Sequence, residues 1–410
     1  MIDVFLVIGL ILFAGFLANL IFEKIKISQV LILISLGFLI GPVLGFASAS
    51  NGSVIGQLSS FIGSLALIIL LFDGGISINV FELANVLSKS TLFTVIVFLL
   101  SMFVTALITV SLMGWTLLEG LLLGASLGGT SFAIVLSLIK GLNISNDSKL
   151  LLTLESTLTD ALCIVFAFGI LQIIISKSTV GALSIFNLLA SAFSVAIVAG
   201  VIGAILWTLA LRKLDSKQFP YMLTLATVFV LYSLVNSIGG NGGISVFVFG
   251  IILANIDRLA KVFGTNEDYA INNKINRIQD EVTFFTRTFF FVFLGLILSP
   301  SGITSVILVA GLSLSLLFVI VRYGIGKLMV KKEDLSAITS MVPRGLAAAV
   351  LAGLPAASGV IIPGFVELSI IVIIITNIFA TVGMYAISNK GNNTPETQDL
   401  PQEDTTAPTT

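Results

Sequence analysis

The 410-residue chain contains no histidine, one cysteine and few charged residues, which make up 10% of its composition. Without histidine, it lacks the usual general base of a serine hydrolase and the commonest protein ligand of zinc. The single cysteine, Cys163, excludes an internal disulfide framework. A net charge of −1 and the absence of any basic block argue against a nucleic-acid partner.

Apolar residues dominate instead, at 57% of the chain, with a mean hydropathy of +1.14. This composition lies outside the range of soluble globular proteins and predicts an all-α, polytopic membrane protein in a lipid bilayer. The first apolar run follows Asp3, has no basic region before it and is about 19 residues long, so we expect a retained helix and not a signal peptide.

Apolar runs of about 17 to 25 residues give about thirteen candidate membrane spans. They lie near residues 3–22, 28–46, 57–77, 90–112, 116–139, 148–175, 185–211, 218–238, 241–256, 281–299, 302–328, 334–354 and 362–387. Lys and Arg residues collect in alternate breaks of this map, and the other breaks contain only Lys177. Because cytoplasmic loops collect basic residues, we predict an external N-terminus and a cytoplasmic C-terminus.

Two stretches of the chain resemble each other weakly, Ser28–Gly41 and Ser245–Asn255, and the spans that follow end in similar runs at 70–75 and 291–296. The match places spans one to six over spans eight to thirteen. An odd helix between the halves inverts the second copy, as in many secondary transporters. The predicted domain map is a membrane domain at 1–390, with repeats near 3–175 and 218–388 and a linking helix near 185–211, followed by a disordered cytoplasmic tail at 391–410.

The fifth and twelfth spans lose their apolar pattern near the middle, in the Gly-rich stretch 124–131 and in 341–345, which contains Pro343. Gly and Pro can unwind a membrane helix, and the freed carbonyls and half-helix ends can then coordinate an ion. Close helix packing through small residues is the alternative. Because the two stretches correspond in the two halves, they favour a pair of crossed, unwound helices.

The sixth span carries Glu155, Ser156, Thr159 and Asp160 where an ordinary membrane helix has only hydrocarbon. A charge at that depth costs about 3 kcal/mol, so such residues usually face water, a cation or each other. Ser156 and Asp160 share one helical stripe, and Glu155 and Thr159 share another, about 100° away. We therefore expect Asp160 to face a cavity and Glu155 to face a structural partner; a buried polar network without transport is the alternative.

Basic residues inside the spans need partners. The span map places Arg344 near the bilayer centre, and we expect it to pair with Glu155, which leaves Asp160 as the free acid. Arg287 and Arg322 lie near cytoplasmic helix ends, where we expect their side chains to snorkel to the interface. For Asp73, at the end of the third span, a cap or interface role is favoured over cation binding.

Together, the run Glu155-Ser156-x-x-Thr159-Asp160, the Gly-rich helix bearing Thr130 and the pair Arg344-Gly345 resemble the monovalent cation:proton antiporters, in particular their sodium/proton exchanger branch. The stretches at 71–75 and 287–295 add to the resemblance. It implies thirteen helices in a core domain and a dimerisation domain, elevator-like alternating access, and a homodimer in the plasma membrane of a prokaryote. It also implies no cofactor, with the cation and H⁺ as the transported ions.

The resemblance further implies a site for the transported Na⁺. Its ligands would be Asp160, Ser156, Thr130 and, directly or through water, Glu155, with Thr159 and Ser131 beside them. The same resemblance pairs Arg344 with Glu155.

The sequence departs from the family pattern at two points. Thr-Asp-Pro is replaced by Thr130-Ser131-Phe132, which removes one acidic ligand, and Asn-Asp is replaced by Thr159-Asp160. A threonine hydroxyl cannot reproduce both functions of an amide, so the departures bear on ion choice and stoichiometry.

Burial of a carboxyl group favours its protonated form, and a nearby cation favours its ionised form. A proton and a cation would then compete for Asp160, which predicts electroneutral exchange of Na⁺, with Li⁺ or K⁺ as alternatives, for H⁺ by a transporter that is not an enzyme. Three other functions stay open: sodium-coupled import of an organic anion bound at half-helix N-termini, a channel or pH sensor, and, least favoured, an aspartyl protease.

Overall fold

The computed structural model describes residues 4–25, 29–44, 54–78, 80, 89–139, 142, 144–176, 182–214, 220–262, 272–298 and 300–391. These parts of the chain are helical apart from turns and short breaks. The predicted tail falls outside the described residues, except for Gly391, where the last helix ends.

The described helices follow the apolar segments of the sequence. They are α1 (Val4–Ile25), α2 (Gln29–Phe38, continued by a π-helical turn, Leu39–Val43), α3 (Val54–Ile76), α4 (Lys89–Met113), α5 (Leu117–Leu127), α6 (Phe132–Ile139), α7 (Asn146–Ile175), α8 (Ala182–Leu214), α9 (Pro220–Ser237), α10 (Gly242–Val262), α11 (Asn272–Ile297), α12 (Ser305–Met329), α13 (Leu335–Ser340), α14 (Leu346–Ala357) and α15 (Phe365–Gly391).

Each predicted span contains one helix, except the fifth and the twelfth, which contain two each. Within the described residues, six helices are long and apolar enough to cross a membrane. They contain the segments Ser90–Met113, Asn146–Ile175, Ala190–Leu211, Gly242–Leu259, Ser305–Met329 and Phe365–Ile387. The prediction of an all-α membrane protein is therefore confirmed.

Polar caps mark the beginnings of several helices. Thr116 and Glu119 form a capping box at α5: the Thr116 hydroxyl accepts from the Glu119 backbone N–H at 3.3 Å, and the Glu119 carboxylate accepts from the Thr116 N–H at 2.8 Å. The hydroxyl of Ser145 caps α7, and that of Thr304 caps α12. These caps satisfy backbone N–H groups that the first helical turn leaves unpaired.

The helices pack as two groups. Helices α4–α7 and α12–α15 contact one another extensively, and we call them the crossing helices. Helices α1–α3 and α8–α11 make the second group, the flanking helices, through the pairs α2–α11, α3–α10 and α8–α10. The groups meet chiefly where α3 packs against α14.

Two glycine pairs let flanking helices approach closely. A Cβ atom on Gly37 of α2 would overlap the backbone of α11 beside Gly295, and one on Gly75 of α3 would overlap the Phe247 carbonyl oxygen beside Gly250 of α10. At both crossings the backbones themselves are in contact, so neither can admit a side chain without a shift of the helices.

Replacing Gly75 by Ala is expected to lower the free energy of unfolding by about 1–3 kcal/mol, the usual cost of overpacking. Gly63→Ala is the matched control on the same helix, because none of the described residues has an atom within 4 Å of a Cβ there. The measurement is the thermal unfolding of the purified variants in detergent. Equal midpoints for the two alanine variants would contradict the close crossing.

Candidate ion-binding site between two helix groups

The two interrupted helices meet at their breaks. Residues 128–131 separate α5 from α6, and residues 341–345 separate α13 from α14. The Ser131 N–H donates to the Pro343 carbonyl at 2.9 Å, and a Cβ on Gly345 would overlap the Ser131 side chain. Gly is a poor helix former and Pro343 has no N–H to donate, so both segments leave the helical path where they touch.

A threonine on a neighbouring helix holds each break. The Thr130 N–H donates to Thr159 Oγ1 of α7 at 3.1 Å, and the Arg344 N–H donates to Thr376 Oγ1 of α15 at 3.4 Å. The Thr159 hydroxyl in turn donates to the Ser156 carbonyl at 3.3 Å. The hydroxyl at 159, where the family pattern has an amide, thus ties the first break to the helix of Asp160.

The guanidinium of Arg344 lies at the end of the half-helix α5. Its Nη1 donates to the carbonyls of Gly128, at 3.2 Å, and Gly129, and its Cζ lies 4.2 Å from the centre of the Phe318 ring. The C-terminal carbonyls of a helix carry partial negative charge. The buried cation therefore compensates the broken end of α5.

The carboxylate of Glu155 is paired with Arg322 of α12. Arg322 Nη2 donates to Glu155 Oε2 at 2.9 Å, Nη1 donates to Oε1, and Nε donates to the Ile338 carbonyl at 2.9 Å. Both side chains are 1% exposed. The prediction that Arg344 pairs with Glu155 is wrong, and so is the prediction that Arg322 snorkels.

The reason for both errors is the rotation of α12. Its buried face includes Leu314, Phe318, Arg322 and Gly326, spaced four residues apart, so Arg322 continues an inward stripe. The predicted span boundaries indicate only that Arg322 lies near a helix end, and not which way its side chain points. The four-residue spacing was a signal in the sequence that could have located the arginine inside the bundle.

A cavity of about 510 Å³ lies between the crossing and the flanking helices. Asp160 and Thr157 of α7, Ser131 of the first break and Ser137 of α6 line one side. The other side contains polar side chains of three flanking helices. They are Gln29 of α2, Asp73 of α3 and Arg287 of α11, and Ser77, the residue that follows α3, lies beside them.

Asp73 belongs to a polar network that the sequence reasoning missed. Its Oδ1 accepts from Thr283 Oγ1 at 3.0 Å and from Gln279 Nε2 at 3.1 Å, and Tyr221 donates to Gln279 Oε1 at 2.6 Å. Asp73 also lines the cavity, and its hydrogen bonds join α3 to α11, which agrees with the predicted interface role. Gln279 and Thr283 are one helical turn apart on α11, a spacing that the sequence does show.

The remaining predicted site residues lie close to the first break. Ser131 lines the cavity with Asp160. Thr130 is 3% exposed, and its Oγ1 has no hydrogen-bond partner among the described residues. Ser156 is buried and donates to the Thr153 carbonyl at 3.0 Å. Glu155, in contrast, directs both carboxylate oxygens to Arg322 and does not line the cavity.

The sequence also matches a known protein family. A family model described as sodium/hydrogen exchanger, transmembrane, matches residues 8–389. The chain belongs to the sodium/hydrogen exchanger family. The resemblance to monovalent cation:proton antiporters is thereby confirmed, and so is the expectation of a transporter family and not an enzyme.

Curated relatives of this exchanger family member include proteins named for two cations. The K⁺/H⁺ antiporter NhaP of Alkalimonas amylolytica is 26% identical over 303 residues, covering 72% of this chain and 50% of the relative. NhaP2 of Shewanella baltica, also named a K⁺/H⁺ antiporter, is 27% identical over 320 residues, covering 77% and 52%. A probable Na⁺/H⁺ antiporter 2 of Methanocaldococcus jannaschii is 24% identical over 308 residues, covering 70% and 69%. The chain thus spans about half the length of the first two relatives.

The fold is also similar to a solved structure. The sodium proton antiporter MjNhaP1 of Methanocaldococcus jannaschii matches with a TM-score of 0.73 at 22% identity, covering 93% of this chain and 98% of that one. At this identity the match shows the helical transporter fold and does not transfer ligands or substrates.

Proposed function

We propose that the chain exchanges a monovalent alkali cation for protons by alternating access, and that the cation and the proton compete for Asp160. The observation that supports this proposal most directly is the position of the Asp160 carboxylate. It lies on α7 in the wall of the cavity between the two helix groups, and Ser131 of the first break lines the same cavity.

The donor set supports an alkali cation. The Asp160 carboxylate, the Ser131 hydroxyl and the Thr130 hydroxyl, which has no hydrogen-bond partner in the described part of the chain, are oxygen ligands, which suit hard cations. Ser156 and Thr159 support the site indirectly. The Thr159 hydroxyl accepts from the Thr130 N–H of the first break and donates to the Ser156 carbonyl of α7. Glu155 is a structural residue in this proposal, because Arg322 occupies both of its oxygens.

The charge balance supports electroneutral exchange. Glu155 and Arg322 neutralise each other, and Arg344 compensates the end of α5. Across the cavity, Asp73 and Arg287 carry opposite charges. Asp160 then accepts one cation or one proton in each crossing of the membrane.

The two glycine crossings support the proposed plan of thirteen helices in two inverted repeats. In that plan α2 corresponds to α10 and α3 to α11, so the α2–α11 crossing corresponds to the α10–α3 crossing. Each of these crossings has one glycine from each helix, Gly37 with Gly295 and Gly250 with Gly75. We further propose a homodimer in a prokaryotic plasma membrane, with an external N-terminus and a cytoplasmic C-terminus.

Na⁺, with K⁺ and Li⁺ as alternatives, is the proposed cation, and the relatives' names include both Na⁺ and K⁺. Neither those names nor the family match supports organic-anion import. The test uses proteoliposomes with an acidic lumen and an enclosed pH dye. Addition of Na⁺, K⁺ or Li⁺, but not choline, should raise the lumenal pH, and a clamped membrane potential should leave the rate unchanged. No response to any alkali cation would contradict the proposal.

A further inference from the structure

The two breaks are held by matching pairs of residues. Thr159 of α7 accepts the Thr130 N–H, and Thr376 of α15 accepts the Arg344 N–H. The next residue is Asp160 in the first case and Asn377 in the second, two side chains of the same shape that differ in charge and in hydrogen-bond donors. The second half thus repeats the first around its own break, with an amide in place of the acid.

We propose that Thr376 and Asn377 are the counterpart of Thr159 and Asp160, and that Asn377 is a positioning residue for the cation site. It acts through Arg344, whose backbone it holds and whose guanidinium contacts the first break. This inference rests on the proposed exchange of a cation for protons.

The contacts of Asn377 require a donor at this position. The side chain is 1% exposed, and its Nδ2 donates to the Arg344 carbonyl at 2.7 Å and to the Ile373 carbonyl at 2.8 Å. Its Oδ1 has no hydrogen-bond partner among the described residues. Because both partners are acceptors, an ionised carboxylate would place oxygen against oxygen, whereas an amide or a protonated acid satisfies the Arg344 carbonyl.

A continuous set of contacts leads from Asn377 to the first break. Nδ2 fixes the Arg344 carbonyl, and the Arg344 guanidinium donates to the carbonyls of Gly128 and Gly129. The next residues of that break are Thr130 and Ser131, and Ser131 shares the cavity wall with Asp160. Loss of the Asn377 donor should therefore displace Arg344 and weaken cation binding at a site that Asn377 does not touch.

Among the described residues, the buried charged groups of the elements packed against α15 are Arg344 on the second break, Arg322 of α12, which Glu155 neutralises, and Asp334 at the start of α13, which accepts from the Ser145 and Ser148 hydroxyls. The carboxyl group of Asn377→Asp would be the only titratable group that this variant adds, and it would lie against the Arg344 carbonyl. Its protonation state should then control the Arg344 contact.

The test compares Asn377→Leu and Asn377→Asp with the parent by measuring the half-saturating Na⁺ or K⁺ concentration in proteoliposomes from pH 5.5 to 9. Asn377→Leu should raise it about tenfold or more at every pH, because no donor remains. Asn377→Asp should match the parent at acid pH, where the protonated acid donates to the Arg344 carbonyl, and approach Asn377→Leu at alkaline pH. At the preceding residue, Thr376→Val should raise the half-saturating cation concentration, and Thr376→Ser, which keeps the hydroxyl, should not.

Parental half-saturation for Asn377→Leu, or a pH profile of Asn377→Asp parallel to that of the parent, would overturn the inference. If Asn377→Leu does not fold, the pH profile of Asn377→Asp decides alone, and if that variant also fails, parental half-saturation for Thr376→Val would overturn the inference. A parent that exchanges no cation would instead contradict the proposed function, so the two failures are distinguishable.

Discussion

Replacing Asp160 by Asn should reduce cation-driven proton movement at least about 100-fold, a change of about 2.7 kcal/mol in the effective barrier. The amide has the same shape as the carboxyl group, so the cavity and the helix are preserved. It can neither release a proton nor balance the charge of a bound cation. The measurement is lumenal pH in proteoliposomes after cation addition, normalised to the amount of inserted protein.

Asp147→Asn is the matched control for this variant. Asp147 lies on the same helix, in the first turn of α7, but its side chain is exposed and outside the cavity. Its exchange rate should stay within about twofold of the parent, because its loss removes only a solvated charge. Equal rates for the two Asn variants would contradict the role of Asp160.

Breaking the Glu155–Arg322 pair should have the largest effect on stability. Replacing Arg322 by Met leaves the Glu155 carboxylate buried without its partner, which costs about 3–5 kcal/mol for a typical buried pair. We expect the variant to lose most of its monodisperse protein and to unfold at a lower temperature. Glu155→Gln should show a smaller loss of the same kind, because the buried guanidinium then lacks its counter-charge.

The double variant, Arg322→Met with Glu155→Gln, separates the interaction energy of the pair from the effect of losing either residue alone. With both charges gone, stability should recover by at least about 2 kcal/mol relative to Arg322→Met alone. The half-saturating cation concentration of the double variant should lie within about threefold of the parent, since Glu155 does not line the cavity. Additive losses of stability would contradict the Glu155–Arg322 pair. Loss of cation saturation in a folded double variant would show that Glu155 has a role in the site itself.

The sequence predicted the features that depend on local pattern. Apolar run length located the helices, and Gly and Pro at 124–131 and 341–345 marked both breaks. The 3.6-residue period correctly separated the face of Asp160, which lines the cavity, from that of Glu155, which faces a structural partner.

Pairing between distant helices was not predictable in the same way. Arg322 and Arg344 lie in different spans of the sequence, and which of them pairs with Glu155 depends on how α12 rotates against α7. Likewise, Asp73 meets Gln279 and Thr283 only because α3 packs on α11. Contacts of this kind arise from tertiary packing, and a span map contains no information about them.

The competition between ions at Asp160 is the central claim, and the most direct measurement of it is the half-saturating cation concentration as a function of pH. If one carboxylate holds either a proton or a cation, lowering the pH in the acidic range should raise this concentration by about tenfold per pH unit, while the maximal rate at saturating cation stays constant. A half-saturating concentration that does not change with pH while the maximal rate falls would show that protons act at a different group, and would contradict the account.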